Sequence, residues 1–410
     1  MSRAPVPGLR RLRFDASPCH FPRAAVPMLA PVDRRQLSLL RRDGVTLNTA
    51  RTQVFLRGRY GLHEAFRRAG LGPGKRLLVP SYHCPTMADP GLRLGADIVL
   101  YPLKADLTVD VQALQRLLQA EPQSGDCLLL THFFGIAQPD AIIEELQALC
   151  AAHQLRLIED CSHCLALGPS SLPEGIGSHG DFAVSSPYKF IPVPEMGLLW
   201  SKQGGTLDAS DTPPATGRQG WRQAATLLRG WATQPGRAPA WKAPNPKSAA
   251  SAAPAREWEE DCVGISSHYL PSEEGRHHLP ISSFILERTP LKLVTERRRE
   301  NFQRWLSLCK GLPQLQPLHA TLPDACVPYM FPVLLEAPGI HFAVLKHAGL
   351  PIWRWDDELA SPCDTASRYR LGLLHLPCHQ GLSEGQWQWM ERTLHACLNG
   401  AGLSHAGAVA

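Results

Sequence analysis

The sequence predicts an α/β protein: a mostly parallel central sheet covered by helices on both faces, followed by a smaller α+β C-terminal domain. Three features lead there. Between residues 59 and 204, short apolar runs such as "RLLV" and "CLLLT" alternate with helical patterns, as do strands that are buried on both faces and joined by crossover helices. From 205 the composition shifts to Pro, Ala and Ser, and regular alternation resumes only near 285. The chain has 410 residues, too many for one ordinary core, so a large and a small domain are expected.

The elements follow in order. Residues 1–45 read as an irregular arm with one short amphipathic helix. "YGLHEAFRRAGL" places Leu62, Ala65, Phe66 and Ala69 on one helical face. "GPGKRLLVPSYHCP" supplies a Gly/Pro turn, a strand at Arg76–Val79 and a loop. "PTMADPGLRLG" reads as a helix ending at Gly95, "DIVLYPL" as a strand, "VDVQALQRLLQA" as a helix and "DCLLLTHFFG" as a strand. "DAIIEELQALCAAH" is then a helix and "LRLIED" a strand, with "DFAVSS" and "GLLWS" completing a large domain over 46–204. Residues 205–274 read as a connecting excursion, partly disordered, with one helix at "WRQAATLLRGWAT". In 275–398 a long helix through "ILERTPLKLVTERRRENFQRWLSLC", broken or begun near Pro290, precedes two strands ("YMFPVLLE", "LLHLPCH") and two helices ("HFAVLKHAG", "SEGQWQWMERTLHACL"). Residues 399–410 form a tail. There is no internal repeat.

Composition excludes several classes. Hydrophobic residues make up 44% and charged residues 19%, with a formal net charge of +5, which gives no footprint for nucleic acid. The 12 cysteines are scattered mostly singly, as free thiols in a reducing compartment are. No apolar run approaches the roughly 20 residues of a membrane span, and the Arg- and Pro-containing start lacks a secretory h-region. A cytoplasmic protein is expected.

The chemistry centres on Asp160 and Lys189. Asp160 closes one strand and Lys189 follows the next by three residues, so a parallel sheet brings both to its carboxyl edge, where open α/β sheets bind ligands. A lone Asp there is ordinarily a cap and a lone Lys a solvated loop residue. Together, in this order and behind a Gly-containing turn, they fit pyridoxal 5′-phosphate, which needs a lysine for its aldehyde and an acid at its ring nitrogen. Its phosphate needs hydroxyls and a helix N-terminus; Ser185 and Ser186 supply the first, and Gly58, Arg59 and Tyr60 the second. In "IEDCSHCLAL", Cys161, His163 and Cys164 have zinc-ligand types, but all lie within four residues and no ordinary ligand pair matches them elsewhere. The two cysteines read as buried packers, and no metal is expected.

These stretches resemble the DegT/DnrJ/EryC1/StrS aminotransferases, the sugar aminotransferase branch of fold-type I pyridoxal-phosphate enzymes. "RGRYGL" resembles the family's Ser-Gly-Thr-x-Ala-Leu turn, "LLVPSYHCPT" its Val-Pro-Ser-aromatic loop, and "THFFGIAQPD" its His-Leu-Tyr-Gly-x-Pro-Ala-Asp stretch. "IEDCSHCLALG" resembles the Glu-Asp-x-Ala-Gln/His segment, "GDFAVSSPYK" the lysine segment, and "LLHLPCHQGLSEGQW" the C-terminal Leu-Pro-x-His-x-x-Leu-Ser stretch. The resemblance covers about 50–204 well and 275–398 more loosely. It implies an aspartate aminotransferase-like fold, a homodimer with shared sites, and amino transfer from glutamate or glutamine to a nucleotide- or lipid-linked keto-sugar. It also implies Asp160 at the pyridine nitrogen, His163 near the cofactor's 3-oxygen, and "GRHHLPISSF", with His277, across the subunit interface.

The departures shape the expectations. Val184 stands where the family has its phosphate serine, so Ser185 or Ser186 must serve. Arg59 replaces a hydroxyl residue, and only Gly197 remains of a Gly-Gly pair. Cys84 occupies the place of the aromatic that stacks on the ring, which leaves Tyr82 or His83 for that role. Trp353, Arg354 and Trp355 are candidates for the substrate entrance. Dehydratase relatives carry His in place of Lys189; a desulfurase needs a mobile Cys, for which Cys262 is the nearest candidate; a decarboxylase often stacks a His, which His83 would supply. A non-catalytic protein of this fold and a Trp-rich carbohydrate-binding module are the readings from other classes.

Overall fold

A computed structural model of the chain describes residues 6–33, 42–120, 125–169, 175–202, 236–243 and 254–399. Strand β1 (Val6–Asp15) comes first, so the stretch read as an irregular arm begins with a ten-residue strand. No α-helix lies in the described part of 1–45, and residues 34–41 fall outside the described residues. The main sheet then forms from β2 (Gln53–Phe55), β3 (Arg76–Pro80), β4 (Asp97–Tyr101), β5 (Cys127–Thr131), β6 (Arg156–Asp160), β7 (Phe182–Ser185) and β8 (Gly197–Ser201). Helices α1 (Gly58–Arg68), α2 (Pro85–Leu94), α3 (Val111–Ala120) and α4 (Asp140–His153) lie between them.

The sheet has seven strands in the order β2-β8-β7-β6-β5-β3-β4. Strands β3 to β7 run parallel, whereas β8 is antiparallel to both its neighbours. Leu77, Leu78, Val79, Leu129, Leu130 and Ile158 are fully buried, as strands covered on both faces require. Asp126 enters this core as a charge and is matched there: its carboxylate accepts the Arg76 main-chain N–H at 2.7 Å and Arg76 Nε at 2.8 Å. Thr131 pairs with Asp160, and Asp160 with Val184, so the ends of β5, β6 and β7 reach one level at the carboxyl edge.

Strand β9 (Arg256–Val263) lies within the stretch read as an excursion, so 256–263 is ordered sheet. The helix expected at "WRQAATLLRGWAT" lies outside the described residues. Helices α5 (Pro280–Leu286) and α6 (Leu291–Cys309) follow, separated at Pro290, whose ring cannot continue a helix from the preceding turn. The C-terminal part adds β10 (Leu315–Pro317), β11 (Met330–Leu335), α7 (Pro338–His347), β12 (Glu358–Leu359), α8 (Asp364–Gly372), β13 (Leu373–Pro377) and α9 (Glu384–Leu398). Strands β10-β11-β13 form an antiparallel sheet. Trp387 and Trp389 are buried in the core of this half, so the "GQWQWM" tryptophans are packing residues. Strand β1 pairs with β9 on one side and β12 on the other. Among the described residues no helix is long and apolar enough to cross a membrane.

Candidate active site

A cavity of about 360 Å³ opens at the carboxyl edge of the main sheet. Asp160 lines it from the end of β6, with its Oδ1 accepting the Ser162 N–H at 2.9 Å. Lys189 enters from the short turn Pro187–Lys189 after β7, its Nζ 5.2 Å from the centre of the Tyr329 ring. His163 is buried against that same ring, with centres 4.6 Å apart. Its Nδ1 accepts the Phe134 main-chain N–H at 3.2 Å, which leaves the proton on Nε2. Burial pushes His163 well below its ordinary value, with Lys189 and His375 adding to the shift, so it is neutral at physiological pH.

One wall forms a small polar cradle. Ser186 Oγ and Ser162 Oγ lie 3.1 Å apart, facing Gly58 at the start of α1. A Cβ on Gly58 would stand 2.2 Å from Ser186 Oγ and 3.2 Å from Ser162 Oγ, so only glycine leaves the space between the hydroxyls and the helix terminus open. Gly197 is needed for the same approach, since its Cβ would meet the Arg57 carbonyl carbon at 2.3 Å. No side chain caps α1, so its first N–H groups are available to an anion. Arg57 and Arg59 also line the cavity. With Lys189 they set three cationic groups against the single carboxylate of Asp160 among the lining residues, a balance that favours an anionic occupant.

The other expected site residues divide. Trp353 and Trp355 both line the cavity, Trp353 exposed and Trp355 half-buried, with Trp355 centred 5.4 Å from His163. Arg354, between them, points away. Its guanidinium lies 3.6 Å from the Phe342 ring centre and 4.4 Å from that of Phe14 and is paired with Asp356 at 3.2 Å, so the expectation of an entrance arginine is corrected. Tyr82 and His83 do not line the cavity either. The Tyr82 hydroxyl bonds His375 Nε2 at 2.8 Å, and both nitrogens of His83 are engaged, by the Ser81 carbonyl and the Leu359 N–H. Of the two serines, Ser185 donates to the Ala166 carbonyl at 2.7 Å and faces away, whereas Ser186 faces in. Tyr60 spends its hydroxyl on Glu273 at 2.8 Å, outside the cavity, and half-buried His277 is not among the lining residues.

Ser162, Tyr188, Tyr329 and His375 line the cavity without having been anticipated. Ser162 lay inside a motif already singled out. His375 likewise lay inside the quoted "LLHLPCHQGLSEGQW" stretch, whereas Tyr329 arrives from the C-terminal half, where nothing local marks it as a site residue. His375 is fully enclosed, and burial, aided by Lys189, pulls it down to about 3.

The cysteines beside Asp160 are core residues: burial pushes the thiols of Cys161 and Cys164 well above their ordinary value. His132, Glu159 and Cys161 bring ligand-type atoms within 4.8 Å of one another, but the lone pairs of His132 and Glu159 are engaged. Glu159 accepts from His132 and from the N–H groups of Gly177, His179 and Gly180, and His132 Nδ1 accepts from Gln138.

A lysine and a carboxylate at the carboxyl edge, a neutral histidine beside them and an anion cradle at a helix N-terminus have the chemistry to hold pyridoxal phosphate: Ser162, Ser186 and Gly58 could take its phosphate, Asp160 its ring nitrogen and Lys189 its aldehyde. Fold and cavity together define a pyridoxal-phosphate-dependent transferase fold. Residues 55–225 match the DegT/DnrJ/EryC1/StrS aminotransferase family. Over 154 residues the chain is 27% identical to the UDP-N-acetyl-3-dehydro-alpha-D-glucosamine 3-aminotransferase of Acidithiobacillus ferrooxidans, covering 38% of each chain. A second match, 27% identical over 154 residues, is to the GDP-perosamine synthase of Vibrio cholerae, covering 37% of this chain and 40% of that one. The matched region thus spans about two fifths of these curated relatives' length. Among solved structures, Helicobacter pylori PseC, an aminotransferase involved in the biosynthesis of pseudoaminic acid, superposes with a TM-score of 0.59 at 15% identity over 92% of this chain and 100% of that one. A DegT DnrJ EryC1 StrS aminotransferase from Brucella abortus gives 0.57 at 16% identity over 85% and 86%.

Proposed function

We propose that the protein is a pyridoxal-phosphate-dependent aminotransferase that moves an amino group from glutamate or glutamine to a keto-sugar carried on a nucleotide or lipid, in polysaccharide or natural-product biosynthesis. The observation that carries the reading is the convergence of Lys189, Asp160 and the Ser162/Ser186/Gly58 cradle on one cavity. The sugar acceptor is supported by the names of both curated relatives. On this reading residues 46–204 are the cofactor-binding domain and 275–398 the interface helix and small domain.

The bound cofactor supplies the electron sink that makes the carbon bearing the amino group acidic. Lys189 Nζ takes the proton from that carbon and returns it on the far side of the transfer. Asp160 holds a proton at the ring nitrogen by its charge. Neutral His163 presents Nε2–H as a donor, with its orientation set by the Phe134 N–H. The aromatic wall of Trp355, Tyr329 and Phe134 keeps water from these groups. His83 faces away from the cavity, which removes the residue that favoured decarboxylation. We further propose a cytoplasmic homodimer: the described cysteines are all unpaired thiols, and the 275–284 segment carries the resemblance to a subunit interface.

The test is a half-reaction. Reduction of the cofactor-loaded protein with borohydride should leave pyridoxyl on Lys189, and incubation with glutamate should convert the bound cofactor to its amine form with release of 2-oxoglutarate. Carbon dioxide or sulfide released from a screened amino acid, without the amine form, would overturn the reaction class. Light scattering should give a dimer at micromolar concentration.

A further inference from the structure

Arg298, in the middle of α6, is fully buried and has no carboxylate partner among the described residues. Its charge is met entirely by neutral acceptors. One Nη donates to the carbonyls of Lys189 and Phe190 at 3.0 and 3.3 Å. The other donates to those of Pro328 and Tyr329 at 3.1 and 3.0 Å. Nε donates to Gln380 Oε1 at 3.0 Å, and Gln380 in turn donates to the Phe190 carbonyl at 2.9 Å. The planar fork lies over the Phe190 ring, 4.6 Å from its centre.

The pattern is specific. A buried arginine is costly, and apolar replacements of similar volume commonly serve a core as well. Burial lowers Arg298 to about 10, which reflects that cost while leaving the guanidinium charged at neutral pH. The four carbonyls it gathers belong to two segments that share no strand ladder: the turn that carries Lys189 and the lead into β11 that carries Tyr329. These are also the two side chains that face each other in the cavity, Lys189 Nζ lying 5.2 Å from the Tyr329 ring.

We propose that Arg298 is a positioning residue for the reaction: it clamps the Lys189 turn to the Tyr329 segment and thereby fixes where the lysine amine stands over the substrate carbon. The inference rests on the assignment of Lys189 as the reacting lysine. Arg298 touches neither substrate nor cofactor; it acts through the main chain of the residues that do. A planar five-donor fork suits this task, whereas a lysine at the same place has three donors and no fixed plane.

The experiment compares Arg298→Met, which keeps bulk and removes every donor, with Arg298→Lys, which keeps the charge and part of the bonding. In cofactor-free protein, amide hydrogen exchange over 187–193 should quicken by about tenfold or more in the Met variant, with α4 peptides unchanged. In loaded protein, the rate constant of the half-reaction with glutamate should fall by roughly 10- to 100-fold, in line with small displacements of a reacting group. The half-saturating glutamate concentration should stay within about threefold, as expected when positioning and not binding is lost, and the Lys variant should fall between Met and wild type. Wild-type exchange over 187–193 with a wild-type rate constant would overturn the proposal. So would equally quickened exchange throughout the chain, which would make Arg298 a fold residue only. If the Met variant does not fold, the Lys variant decides by the same two criteria. Pyridoxyl mapped to another lysine in the wild type would overturn the Lys189 assignment instead, and the exchange result, measured without cofactor, separates that outcome from failure of the clamp.

Discussion

Ser185 and Ser186 are neighbours with opposite duties, and exchanging each for alanine separates them. Ser186 Oγ faces Ser162 Oγ and the N-terminus of α1 inside the cavity; Ser185 Oγ is committed to the Ala166 carbonyl at 2.7 Å. A hydroxyl that donates to a phosphate makes a charge-assisted bond, worth about 1.5–3 kcal/mol. Since each 1.4 kcal/mol is a factor of ten, Ser186→Ala should weaken pyridoxal phosphate roughly 10- to 150-fold. Ser185→Ala removes a neutral bond in a fully buried place and should lower folding stability by about 1 kcal/mol, with cofactor affinity within about twofold of wild type, because the group lost does not face the ligand. Titration of cofactor into apo-protein, followed by absorbance, gives the affinities, and urea unfolding gives the stabilities. Equal losses of affinity in the two variants, or an unchanged affinity for Ser186→Ala, would refute the cradle.

Asp160→Asn should keep the cofactor bound but cut the half-reaction with glutamate by orders of magnitude, because the charge that holds the ring nitrogen protonated is gone; normal turnover would remove Asp160 from its role. Arg354→Ala should lower stability by roughly 2–4 kcal/mol through lost packing against two rings, while half-saturating substrate concentrations stay within about twofold; a large rise in those would return Arg354 to the entrance. Acid should loosen the fold early. Burial holds His83 down at about 4 and His375 and His379 at about 3, below the roughly 6.5 of an unfolded chain. Between those limits the unfolded chain binds protons that the native one refuses. Their contribution is therefore complete above pH 6.5 and declines as the pH drops toward 4 and then 3. The loss should reach roughly 2 kcal/mol per group by pH 5, and a urea midpoint constant from pH 7.5 to 5 would contradict it.

The regular part of the large sheet was legible because each strand is an apolar run of its own and each crossover helix carries its own periodicity. Asp160 and Lys189 were legible because parallel topology sends both to one edge. Side-chain direction was harder. Ser185 and Ser186, and again Trp353, Arg354 and Trp355, show a period of two in extended backbone: one neighbour faces the cavity and the next faces away. That alternation is present in the sequence but has no sign until a neighbouring strand fixes it. Tyr82 and His83 stand beside the cavity in sequence, yet partners from the C-terminal half, His375 and the main chain of Leu359, hold them away from it. The β1 segment "GLRRLRFD" could not be read locally at all. Its Arg and Leu residues acquire meaning only beside the acidic "REWEED" of β9, and Arg10 meets Glu259 across 249 residues.

That separation has a consequence for how the chain folds. Strand β1 is made first, but its ladders need β9 and β12, and Arg13 finds Asp357 across 344 residues. At a synthesis rate of about 5–20 residues per second, the first partner emerges roughly 12–50 seconds after β1, and the second later still. For that interval β1 is a ten-residue segment with both edges open, the condition that invites pairing with a foreign chain. Its answer lies in its charges: Arg10 and Arg13 repel a second copy of the same strand and are neutralised by Glu259, Glu260 and Asp357 once the sheet assembles. The guanidinium groups thus guard the nascent strand against its own copies before they serve as register marks in the finished protein.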